Sequence, residues 1–136
     1  MKPLRIRVSF PGNLRVAAQF GSHRVETDQG LEAGGENAAP TPFELFLVSL
    51  ATCAGYFALE FCRSRELSTE GLELALETNL DAAGRRVERV RIVLALPADF
   101  PEKYRAALAR SVDLCTVKRH LLDPPAVDLQ FVPRSS

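Results

Sequence analysis

Apolar and polar residues alternate in the first part of the chain, in "LRIRVSF" (4–10) and "LRVAAQF" (14–20), with "PGN" between them. A period of two puts alternate side chains on opposite faces of a strand, and a Pro-Gly-Asn step turns the chain between strands. "HRVETD" (23–28) carries the alternation on after Gly21-Ser22, so the pattern predicts a three-stranded antiparallel meander. The following "QGLEAGGENAAP" (29–40) has no period and is rich in Gly, Ala and polar residues. A loop of that length suggests a functional or interface role.

A helix follows. In Thr41-Pro42-Phe43-Glu44, Thr is the N-cap, Pro takes the first helical position and Glu the third, which is a capping box with a preset backbone angle. The helix should run from about Pro42 to about Arg65 and is apolar nearly all round, which calls for burial on most sides. A single small domain struggles to wrap such a helix completely, and this points to an intertwined dimer. "LELALETNL" (72–80) and "RVERVRIVLAL" (86–96) alternate around "DAAGR" and predict a hairpin. A helix "PEKYRAALARSVDL" begins at Asp99 or Pro101, and a second helical stretch, "DLCTVKRHLL", follows closely. Pro124-Pro125 stops helicity, and "AVDLQFV" (126–132) reads as a final strand. No repeat or boundary is visible, so residues 1–136 are expected to form one α+β domain.

Composition narrows the function classes. With 136 residues, 46% of them hydrophobic, the chain can bury a core without a metal or disulfide staple. Lys plus Arg balance Asp plus Glu at 17 each, so no bulk electrostatic drive points to nucleic acid or to an anionic membrane. "MKPLRIRVSF" lacks the apolar stretch of a secretory signal. The uncharged run from Leu45 to Leu59 is bounded by Glu44 and Glu60 and falls short of the ~20 residues that span a bilayer. A cytoplasmic location with reduced thiols is therefore expected. Cys53, Cys62 and Cys115 contain no Cys-x-x-Cys pair, and His23 and His120 stand alone, so the spacing argues against a metal.

Candidate chemistry rests on the cysteines. A thiol at the end of "PTPFELFLVSLATC" is either an inert core residue or a reactive group in a dry pocket. "GGENAAPTPFELFLVSLATC", followed some sixty residues later by "SVDLCTVKRHL", resembles the OsmC/Ohr family of osmotically inducible and organic hydroperoxide resistance proteins. The shared features are the Gly-rich loop, the Pro, the Glu-Leu step, the apolar helix bearing a Cys, and a second Cys opening a short basic helix. The predicted element order is similar to that family's from end to end.

The resemblance implies antiparallel sheets around a long buried central helix in an intertwined homodimer, with strands from both chains building the sheets. It implies a thiol peroxidase acting on organic hydroperoxides without metal or flavin, re-reduced by a dithiol or lipoyl-type reductant. Cys53 matches the peroxidatic position and Cys115 the resolving one. Arg15, after the Gly turn, is the best match for the family's activating Arg. In the hydroperoxide-resistance branch a Glu directly follows the Pro; here that position holds Phe43, and Glu44 is the nearest carboxylate. Nine residues of helix put Glu44 about 180° from Cys53. Phe46, Ser49, Tyr56, Phe57 and Glu60 share the Cys53 side instead, and Cys62, nine residues on, faces away. Two other functions fit the same residues: a thiol enzyme acting on another electrophile or a thioester, and a non-catalytic protein binding an apolar ligand between its subunits.

Overall fold

The computed structural model describes residues 1–135. The chain divides into two compact units, Met1–Ser49 and Leu50–Ser136. The family-like mixture of antiparallel sheets and helices is present, and each unit is described by itself.

In the first unit, β1 (Arg7–Gly12), β2 (Arg15–Phe20) and β3 (His23–Thr27) form an antiparallel sheet in the order β1-β2-β3. The strands are joined by two-residue turns. Asn13 (φ 46°) and Gly21 (φ 55°) supply the positive angles those turns require. Val8, Ala18 and Val25 lie in one cross-strand row, while Ser9, Ala17 and Glu26 form the next, and Ala17 at the centre of β2 is buried. β1 begins three residues later than the alternation suggested. Its Pro11 sits where the pairing register shifts, a place where a strand tolerates a missing donor.

The helix α1 (Pro42–Ser64) opens with the expected capping box. The Thr41 N–H donates to Glu44 Oε1 (3.0 Å), and the Glu44 N–H donates to Thr41 Oγ1 (3.1 Å). At the far end, Glu66 adopts φ 54°, its N–H reaches the Arg63 carbonyl, and the Leu67 N–H reaches the Cys62 carbonyl. This Schellman closure satisfies the last carbonyls and turns Leu67 back toward the core.

In the second unit, Ala54, Ala58, Phe61 and Cys62 form the buried stripe of α1. They pack against Phe100 and against Leu108 and Val112 of α2 (Arg105–Asp113). The hairpin of β4 (Glu73–Leu80) and β5 (Val87–Ala95) covers this core with Leu74, Ile92 and Leu94. Burying one such side chain contributes about 1.5–3 kcal/mol. An isolated two-stranded sheet is marginal, so this hairpin depends on that packing. Tyr104 and Phe61 meet edge to face, and the Arg65 guanidinium lies 3.7 Å from the centre of the Phe61 ring. The two predicted helical stretches are separate: α2 ends at Asp113, and α3 (Thr116–Leu122) begins after two intervening residues, Leu114 and Cys115.

One expectation is corrected. Residues 126–132 form no strand, and Val127, Leu129 and Phe131 are 85–90% exposed. Alternation supplies the side chains of a strand but not the neighbouring edge its N–H and C=O groups need. α1 passes the length and hydropathy test for a membrane span, yet its Ala54–Cys62 stripe is part of a packed core. Its Phe43, Val48, Tyr56 and Leu59 are exposed in this chain.

Candidate active site

Cys53 lies at mid-length on α1 and is half-buried, whereas Cys115 is 1% exposed at the joint between α2 and α3. The joint is tightly built. The Cys115 N–H closes α2 on the Val112 carbonyl, and the Cys115 carbonyl accepts the Arg119 N–H as α3 begins. Lys118 Nζ bonds Asp113 Oδ1 at 2.6 Å across the same joint, so this cation serves the link between helices.

Each thiol is among the groups that shift the other's titration. Burial alone would raise the Cys53 pKa, but its other surroundings outweigh it. The Val117 N–H, the Cys115 thiol, and the N–H and hydroxyl of Thr116 all face Cys53 and hold its pKa below the ordinary thiol value. Cys115 moves the opposite way. Burial pushes it up first, and proximity to Cys53 adds to that, against main-chain N–H groups of Lys118 and Val117. These surroundings favour the thiolate at Cys53 and the thiol at Cys115. Cys62 is buried among apolar side chains, and burial raises its pKa despite the Arg65 charge. Tyr56 and Phe57, beside Cys53 in sequence, meet edge to face at 5.5 Å and make that side aromatic.

Arg15 and Glu44 belong to the first unit and are engaged there. The Glu44 carboxylate is held by Thr41, whose N–H and then hydroxyl lower its pKa. Arg15 opens β2 with Nε 4.0 Å from Glu36 Oε2. The 29–40 segment contains a 3-10 turn, Leu31–Ala33, and is organised around Asp28, a residue the sequence reading passed over. Asp28 is 0% exposed. Its Oδ1 accepts the Gln29 N–H (2.8 Å), and its Oδ2 accepts those of Glu36 (3.2 Å) and Ala38 (3.0 Å). N–H donors from Ala38 and Gln29 lower its pKa most; burial opposes them, while Glu36 N–H and the Arg15 charge assist. The available signal was an Asp at a loop start, a position that favours bonding to following amides. Thr116 was missed as well, although a hydroxyl beside a helix start is a common donor or acceptor.

Among the described residues no group of three or more His, Cys, Asp and Glu could hold a metal ion.

Residues 34–130 match the family model of OsmC-like proteins. A candidate osmotic stress induced and detoxification response protein from Psychrobacter arcticus superposes with a TM-score of 0.71 at 23% identity, over 84% of this chain and 85% of that one. An OsmC organic hydroperoxide resistance protein from Legionella pneumophila gives 0.58 at 17% identity, over 89% and 90%. A candidate organic hydroperoxide resistance protein from Vibrio cholerae, with captopril bound in one of its active sites, gives 0.55 at 16%, over 86% and 83%. At these identities the likeness is one of fold. No curated protein matches the chain in sequence.

Proposed function

The chain belongs to the OsmC-like protein family, and we propose that it is a cysteine-based peroxidase that reduces organic hydroperoxides. What supports this reading is the setting of Cys53, where the Val117 N–H, the Cys115 thiol and Thr116 hold its pKa below the ordinary thiol value. The Cys53 thiolate attacks the distal oxygen of the hydroperoxide. An S–O bond forms, the O–O bond breaks, and the alkoxide leaves as an alcohol after taking a proton. Cys115 then attacks the sulfur of the sulfenic acid; an S–S bond forms and water leaves. A dithiol or lipoyl-type reductant returns both thiols by exchange, itself becoming a disulfide.

The resemblance assigns Arg15 the role of the cation that stabilises the thiolate and the departing oxygen. Glu44 serves as the anchor of the helix that carries Cys53. The aromatic pair Tyr56 and Phe57 favours hydroperoxides with an apolar group. A homodimer accommodates the exposed apolar residues of each unit: Val8 and Phe10 in the first, Tyr56, Leu129 and Phe131 in the second. A reducing cytoplasm suits three free cysteines.

Reduced protein treated with cumene hydroperoxide should yield one molecule of cumyl alcohol per chain and a Cys53–Cys115 disulfide by mass spectrometry. Retention of all thiols under excess peroxide would sink the proposal. The ligand-binding reading draws on the same aromatic pair, and stable cumene binding without turnover would favour it.

A further inference from the structure

Arg15 is held in an unusual way. Its Nε is buried and has no hydrogen-bond acceptor. A guanidinium N–H taken from water without a partner is costly, so its surroundings must account for it. Glu44 is spent on Thr41. The carboxylates that face Arg15 come from the loop instead: Glu36, with Oε2 at 4.0 Å, and the buried Asp28.

These two are linked through the main chain. Asp28 Oδ2 accepts the N–H of Glu36 itself, which pins the backbone from which the Glu36 side chain departs. Gly35, immediately before, is buried against Gln29, and a Cβ there would come within 2.1 Å of the Gln29 carbonyl oxygen. Only glycine permits that approach. The hairpin turn reaches the same stretch a second time, because Asn13 Nδ2 donates to the Gly34 carbonyl at 3.2 Å. Asn13 and Arg15 thus meet Gly34 and Glu36, two side chains two residues apart against two loop residues two apart.

We propose that Glu36 is a positioning residue for Arg15, with Asp28 fixing Glu36 through its backbone. The loop supplies the carboxylate that orients the guanidinium. This rests on the reading of Arg15 as the activating cation, but the holding of Arg15 can be measured without turnover. In a proton–nitrogen NMR spectrum of the arginine side chains, the Arg15 Nε–H, assigned by its loss in Arg15→Lys, should exchange slowly with solvent. In Glu36→Gln, an exposed change that keeps the fold, its exchange should quicken at least about tenfold, as for a coupled pair that is broken. Asp28→Asn should do the same if it folds. Unchanged exchange in Glu36→Gln overturns the proposal.

The kinetic arm uses cumene hydroperoxide. Glu36→Gln should lower kcat/KM about tenfold, and the loss should vanish in an Arg15→Ala background. Additive losses would also overturn it, since Glu36 would then act by another route. Wild-type protein that fails to reduce peroxide counts against the peroxidase reading alone, and the exchange measurement still decides this one.

Discussion

Two thiols in contact lose their protons in sequence, and the order sets which becomes the nucleophile. Here the order comes from where the donors lie. Cys53 faces the Thr116 and Val117 amides, the Thr116 hydroxyl and the Cys115 thiol, while Cys115 is enclosed. The rate of iodoacetamide labelling of Cys53 against pH should therefore show a midpoint below the free-thiol value of about 8.5. Cys115→Ala removes one of the lowering contacts, so the midpoint should rise, and the sulfenic acid should persist or over-oxidise after peroxide. A Cys53 midpoint at or above that of a free thiol would contradict the assignment. The two cysteines were legible in the sequence because a Cys midway along an apolar helix and a second one opening a basic helix form a pattern. Thr116 and Asp28 were not, because their partners are mostly main-chain N–H groups, which carry no letter. Lys118, in the basic helix that follows Cys115, is taken up by Asp113.

Short-range grammar predicted the elements well wherever each could be completed locally. The capping box of α1 and the turn at Gly21 involve residues within a few positions of one another and stand where expected, while the first turn falls at Asn13-Leu14 because Pro11 and Gly12 belong to β1. Residues 126–132 have the letters of a strand but lack a neighbour in this chain, and no local rule supplies one. The 29–40 loop shows the reverse case, since aperiodic letters hide an ordered segment. Its order depends on ionised Asp28. A carboxylate with a lowered folded pKa contributes stability that is complete above its unfolded value of about 3.9 and is lost as pH falls through the folded value. Amide protection at Glu36 and Ala38 should stay high through mild acid and be lost only as pH falls past the ordinary carboxylate value toward the lowered folded one. In Asp28→Asn the exchange should be fast at every pH; protection that persists in that variant would show that other bonds hold the loop.

At the scale of the whole molecule, the exposed apolar residues are the feature to explain. Val127, Leu129 and Phe131 are nearly bare, and in the first unit Val8 and Phe10 are more than half exposed. Burying each against a second copy would contribute roughly 1.5–3 kcal/mol, so the tail alone would matter to association. A chain ending at Pro125 should shift from dimer to monomer in light scattering at micromolar concentration. A full-length chain that is monomeric there would refute the dimer. The contact between Cys53 and Cys115 has one more consequence, for the chain as a polymer. Joining them closes a loop of about 60 residues and removes unfolded conformations worth about 4 kcal/mol of stability in the chain-entropy description. In the proposed cycle the protein is then hardest to unfold when it has just spent its reactivity. Each re-reduction restores the nucleophile by releasing that tether, so a starved reductant supply would leave behind a population that is inactive yet long-lived.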